Sequence, residues 1–204
     1  MPSILFHELV GNKIAKKYKK YDTCNFYFGI IAPDAVNAYG FADKEKRWST
    51  HLRAESLEQW KENIIEFYKR NYNKYENTYL MGYLVHVLTD IICDEIYQKV
   101  LYPDLLKNGL DYNSAYSYYE TAIEKLENSN INEQWWKEVQ KKLKKGEKIP
   151  INSMNEKILK DWENYTIKKY QNRKYEEKGY LKDEFVDEVV KRVENILVKE
   201  EIIQ

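Results

Sequence analysis

The chain has 204 residues, with 33 Lys plus Arg against 33 Asp plus Glu, and the balance holds in each half: 14 basic and 13 acidic over residues 1–103, 19 and 20 beyond. No half carries the basic excess that draws nucleic acid by bulk electrostatics. The 43% hydrophobic content supports a real core and excludes a disordered chain, while only seven glycines and four prolines favour long helices with few turns.

No segment offers the roughly 20 uncharged apolar residues that a membrane-crossing helix needs. The start, Met1 to Glu8, has no basic region followed by a sustained apolar stretch, so it does not read as a signal peptide. Cys24 and Cys93 fit no zinc-ribbon or redox spacing, which points to a reducing, cytoplasmic setting. The expectation is one all-α domain over 1–204, a multi-helix bundle with a metal site between its helices.

In chain order, residues 4–20 read as a helix with Ser3 as N-cap. Ile4, His7, Gly11, Ile14, Ala15 and Tyr18 share one stripe, which puts His7 on the buried face. Residues 21–50 are aromatic and irregular and read mostly as loop, with Pro33 holding Ala32 extended and presenting Asp34 from a turn. A second helix is expected from near Ser49–Arg53 to about Tyr72, so that His51 lies at its start. A third runs from about Thr78 to Tyr102 and stops before Pro103. Gly82, one turn before His86, leaves room for another backbone to approach. Beyond it, helices are expected near 111–128, 131–145, 153–172 and 181–201, with Gly109 and Gly179 marking ends and Lys/Glu faces turned to solvent.

His86 and Asp90 carry the most information. They lie one turn apart on a run otherwise apolar enough for a buried helix, so both project from the same face into the core. A bound cation is one reason for such a pair; an internal hydrogen bond is the plainer one. All three histidines fall in the first 86 residues, and the ordered set is His7, Asp34, His51, His86 and Asp90. Imidazoles and carboxylates drawn from several helices are what a zinc-like ion requires. Taken singly, each has an ordinary reading: a satisfied core histidine for His7, a turn residue for Asp34, a helix-end residue for His51. No Walker loop, GxGxxG, GxSxG or HExxH occurs.

The combination resembles the zinc-dependent phospholipase C family, related in fold to the single-strand-specific zinc nucleases of fungi. The resemblance spans roughly residues 1–100. It rests on Ser3-Ile-Leu-Phe-His7 (one residue longer than the family's Ser/Thr-x-x-His), Ala32-Pro-Asp34, Ser49-Thr-His51 and, most specifically, Gly82-Tyr-Leu-Val-His-Val-Leu-Thr-Asp90. It divides the chain into a metal-binding half, 1–103, and a divergent helical half, 104–204.

The resemblance implies one metal held by His51, His86, Asp90 and Asp34, and a second at His7 with Asp90 bridging. In the family the N-terminal residue completes the second site; here Met1 or Pro2 would have to do so. The family's third metal uses a histidine soon after the bridging aspartate and a later His-x-x-x-Glu. Here Ile96 stands six past Asp90, Asp94 and Glu95 are the nearest acids, and no histidine follows His86. One or two zinc-like divalent ions are therefore expected.

The function implied is a phospholipase C-like hydrolase of phosphate esters, with Asp34 as ligand or general base. A phosphate-ester small molecule or a lipid head group is the expected partner, with tyrosines available to frame it. Two rivals stand beside it. One is a non-catalytic metal- or partner-binding protein that has lost part of the cluster. The other is a single-strand nuclease, which the neutral charge disfavours.

Overall fold

The computed structural model describes residues 2–130, 133–152, 154–171 and 180–203. Met1 and Gly179 lie outside them. The described residues form helices and connecting turns, with no strand among them.

Helix α1 (Ile4–Lys17) starts where the Ser3 hydroxyl accepts from the Leu5 N–H. Ser3 also donates to Glu127 across 2.5 Å, tying the chain start to a helix of the second half. Helix α2 (Cys24–Ile31) is capped by Thr23, which accepts from Phe26 N–H. A tight 3₁₀ turn, Ala32–Asn37, follows without a break. Helix α3 (Lys44–His51) is capped by Asp43, and α4 (Leu57–Asn71) by Ser56.

The expectation of mostly loop over 21–50 is therefore wrong. Helix α2 is apolar on nearly every face because six of its eight residues are buried; a helix buried all round has no amphipathic period to read. Two local details differ as well. Ala32 is right-handed helical (φ −64°, ψ −41°) rather than extended, because the buried α2 runs straight into the next turn. His51 closes α3 instead of opening the next helix; Leu52, with φ 54°, breaks the chain between them.

Helix α5 (Asn77–Ile96) is the centre of the molecule, with α1, α2, α4 and α10 packed around it. Its closest neighbour is α2. A Cβ on Gly82 would stand 2.1 Å from Phe26 O, and one on Gly29 would stand 2.1 Å from Tyr79 O. The two glycines thus let the backbones of α2 and α5 touch, as expected at Gly82.

After α5 the chain widens into one turn of i→i+5 helix, Tyr97–Leu101, and continues as α6 (Tyr102–Lys107). Pro103 does not stop it. Pro103 sits in the first turn of α6, where a missing N–H costs nothing. Helices α7 (Tyr112–Asn130), α8 (Glu133–Lys145), α9 (Glu156–Tyr170) and α10 (Asp183–Lys199) lie close to their expected ranges. α7 packs on α1, α8 on α2, α9 on the 32–37 turn and α10 on α1 and α5. No helix of the described residues is long and apolar enough to cross a membrane.

Candidate metal centre

Four segments deliver five side chains to one place. α1 brings His7, the 32–37 turn Asp34, the end of α3 His51, and α5 both His86 and Asp90. His7, His51, His86 and Asp90 are each 1% exposed. The Asp34 side chain is 13% exposed and is the member that reaches a cavity.

His51 Nε2 and His86 Nε2 face each other at 3.2 Å. Asp90 Oδ2 lies 3.5 Å from the first and 3.6 Å from the second, and Asp34 Oδ1 is 3.5 Å from His51 Nε2. Around the other oxygen, Asp90 Oδ1 is 3.4 Å from His7 Nε2. His7 and His86 stack with centroids 3.7 Å apart.

The outer nitrogens are committed elsewhere. His86 Nδ1 lies 2.6 Å from Ile30 O, and His51 Nδ1 2.8 Å from Arg47 O. A carbonyl can only accept, so both Nδ1 atoms carry a proton, and in the neutral imidazoles both Nε2 atoms present lone pairs inward. Two facing lone pairs beside a carboxylate need a cation between them.

A shared proton bridges only one such contact. Neither nitrogen of His7 and neither oxygen of Asp90 has a hydrogen-bond partner among the described residues, although all four atoms are buried. Such groups are costly when left unmatched. Tetrahedral zinc with bonds near 2.0–2.2 Å spaces its ligand atoms about 3.3–3.6 Å apart. The separations of 3.2–3.6 Å fit that spacing, so the donor set suits a zinc-like ion.

The backbone around His51 shows why it holds position. Helix ends leave carbonyls free. Here Tyr83 Oη donates to Thr50 O, Trp60 Nε1 to His51 O at 2.7 Å, and Asn63 Nδ2 to Leu52 O at 3.1 Å. The C-terminal end of α2 serves in the same way, with Ile30 O at His86 and Ile31 O accepting from Trp162 Nε1 at 2.8 Å.

Electrostatics follow from this crowding. Burial, then the neighbouring His7, pushes His86 down to about 3, so it stays neutral. Burial opposes charge on Asp90, but His7 first, then His86 and His51, outweigh it and hold the carboxyl well below its ordinary range. Burial likewise disfavours charged His51, yet the contact with Asp34 and the charge of Asp90 raise it. Asp34 is lowered against burial by His51 and His86. Two ionised carboxylates among inward lone pairs make the pocket demand positive charge.

The other residues weighed from the sequence lie apart. Asp94 pairs with Arg53 at 2.7 Å, Glu95 with Lys99 at 2.7 Å, and Ile96 is buried in the core. Cys24 and Cys93 are free thiols, and burial raises Cys93 well above the ordinary range. Among the described residues, the two overlapping His/Asp groups arranged to hold a metal are His7, Asp34, His86 and His51, His86, Asp90.

Sequence reasoning missed the walls of the adjoining cavity. About 280 Å³ opens beside Asp34, lined by Phe41, Trp162, Tyr165 and Lys169 among others. Trp162 and Tyr165 stack at 5.1 Å, and Phe41 is 81% exposed. Nothing in the spacing of these residues links 41 to 162. A larger cavity of about 700 Å³ lies between α4, the end of α5 and α10. It holds none of the five residues, and its Lys61, Lys99 and Arg192 each pair with a glutamate.

No curated protein and no solved structure gives a significant match to the chain. The family model for zinc dependent phospholipase C matches residues 6–179. That reaches well past the first 100 residues carrying the quoted motifs and takes in α7, α8 and α9. The match contains all five clustered side chains and covers most of the chain: it belongs to the zinc-dependent phospholipase C family.

Proposed function

We propose that this protein is a zinc-dependent hydrolase of phosphate esters, acting on phosphodiesters with a small head group. The observation that carries the reading is the inward pair of His51 and His86 lone pairs at 3.2 Å, flanked by an Asp90 carboxylate with no hydrogen-bond partner among the described residues. Family membership supports a metal-dependent phosphodiesterase-type activity.

His51, His86, Asp90 Oδ2 and Asp34 would hold one ion, and His7 with Asp90 Oδ1 a second. Bound there, such an ion polarises a phosphoryl oxygen and brings the pKa of water toward neutrality. The chain's own residues do the rest. Asp34 faces the cavity and is ionised, so it is placed both to bind and to accept the proton of an attacking water. The carbonyls of Ile30 and Arg47 keep His86 and His51 in the tautomer that points Nε2 inward. The Trp162–Tyr165 stack and Phe41 give one side of the cavity an aromatic surface. At about 280 Å³ the cavity suits a head group and leaves acyl chains outside.

The test begins with elemental analysis of protein purified without chelator or affinity-tag metal. One or two equivalents of zinc-like metal are expected. The loaded protein is then offered bis(4-nitrophenyl) phosphate, a short-chain phosphatidylcholine and a single-stranded oligonucleotide. Cleavage of the first two, lost in Asp34→Asn with metal partly retained, is the expected result. Metal in place with all three substrates untouched would leave a non-catalytic metal-binding protein.

A further inference from the structure

The cavity beside Asp34 has a cation in its lining that the metal-binding reading does not use. Lys169, near the end of α9, lines this cavity of about 280 Å³ together with Ser3 and Asp34. It also lines a neighbouring one of about 190 Å³ that shares Ser3. Its ammonium lies 5.9 Å from the Tyr165 ring centre and 5.2 Å from that of Tyr170, both within cation–π range. Lys157 and Lys160 on the same helix are ion-paired with Asp161 and Glu163. Lys169 makes no ion pair among the described residues.

Charge arithmetic gives this cation a task. Asp34 and Asp90 contribute two negative charges, and histidines that hold an ion through Nε2 are neutral and contribute none. A single divalent ion brings the cluster to zero and leaves no net field for an anion. A phosphodiester carries one negative charge and gains another as water attacks. We propose that Lys169 binds the substrate's phosphate, donating to an oxygen of the group in the cavity it shares with Asp34 and supplying the positive charge that a single divalent ion leaves short. This inference rests on the proposed function, since it assumes that the phosphate sits beside Asp34. The two tyrosine faces hold the ammonium in place without neutralising it, which a carboxylate partner would do.

The experiment compares wild type, Lys169→Met and Lys169→Arg, each metal-loaded and dialysed. Inorganic phosphate is titrated calorimetrically at low ionic strength, metal content is measured on the same samples, and KM and kcat are read with bis(4-nitrophenyl) phosphate. Losing one charge-assisted hydrogen bond should weaken phosphate binding about tenfold to a hundredfold in Lys169→Met. KM should rise, metal content should not change, and Lys169→Arg should keep most of the affinity. Equal phosphate affinity in wild type and Lys169→Met overturns the assignment, even with hydrolysis intact. If none of the samples takes up metal, the proposed function falls, but the phosphate titration still judges Lys169. A loss confined to the Met variant then upholds an anion site, and no difference rejects it.

Discussion

Helices α5 and α10 are similar in length and pack against each other, but they are built on opposite plans. α5 buries sixteen of its twenty residues, on every side. α10 buries four of seventeen, Val186, Val189, Val193 and Leu197, along one stripe. In α10 the apolar positions fall every three or four residues and the charges face water, so the helix contributes area and little else. In α5 no face is left for water between Tyr79 and Cys93, and the ionisable pair it carries inside, His86 and Asp90, cannot be surface decoration. A helix buried all round is where a charged pair most needs a chemical reason.

Breaking the comparison at α5 should have the largest effect. If the His/Asp cluster holds an ion, saturating metal at about a thousand times Kd adds about 4 kcal/mol. For a chain of this size that raises the melting temperature by about 8–16 °C over chelated protein. Asp90→Asn should erase most of the rise. A thermal scan with and without chelator reads it, and coincident curves for the wild type would remove metal from the account.

Packing changes sharpen the contrast. Gly82→Ala forces a methyl group against Phe26 O and should cost about 3 kcal/mol or more. Because α2 would be pushed away from α5, metal uptake should fall with it. Leu197→Ala in α10 should cost about 2–5 kcal/mol by emptying core volume. Its metal stoichiometry, measured where the variant is still folded, should match the wild type. Equal loss of metal in both variants would mean that the two helices are not functionally distinct.

Removing a cap is a smaller perturbation. Asp43→Ala deprives Lys46 N–H of its 2.9 Å acceptor at the start of α3, and should cost about 1 kcal/mol by denaturant titration. The smallest effect is on the pH dependence of metal-free protein. His86 has a folded value near 3, below its unfolded 6.5, so the unfolded chain binds more protons in that window and stability falls as pH drops through it. His51 is raised, so its contribution is present below 6.5 and is lost as pH rises through the folded value. The metal-free protein should be most stable near pH 6.5, and His86→Gln should flatten the acid limb. An acid limb as steep in that variant as in wild type would assign the slope to other groups.

The same contrast explains what was legible in the sequence. α7 through α10 could be placed closely because their stripes and charged faces repeat with the helical period. His7 could be put on a buried face for the same reason, and the i, i+4 spacing of His86 and Asp90 put both on one side of α5. α2 could not be read, since a segment of eight residues that is apolar but for Asn25 has no period and packs on α5 through Gly29 and Gly82. The break between α3 and α4 was hidden because it depends on Leu52 adopting a left-handed conformation, which nothing in its identity announces. Glu127 and Glu163 looked like solvent-facing charges but are at most 1% exposed. Glu127 accepts from Ser3, and Glu163 pairs with Lys148 and Lys160. Ser3 is 124 residues from Glu127, and Lys148 lies before α9 begins, both beyond local pattern; Lys160 is the ordinary i, i+3 neighbour of Glu163. Trp162 and Phe41 line one cavity beside Asp34 for equally long-range reasons.

The end of α2 fixes more than one thing at once. Ile30 O holds His86 from one side, and the next carbonyl, Ile31 O, holds Trp162 of the cavity wall from another. Each added residue turns a helix by about 100°. A single insertion or deletion within α2 would therefore swing both carbonyls off their targets together, releasing the imidazole and the indole in one step. The number of residues in this short helix is constrained as tightly as the identity of any ligand.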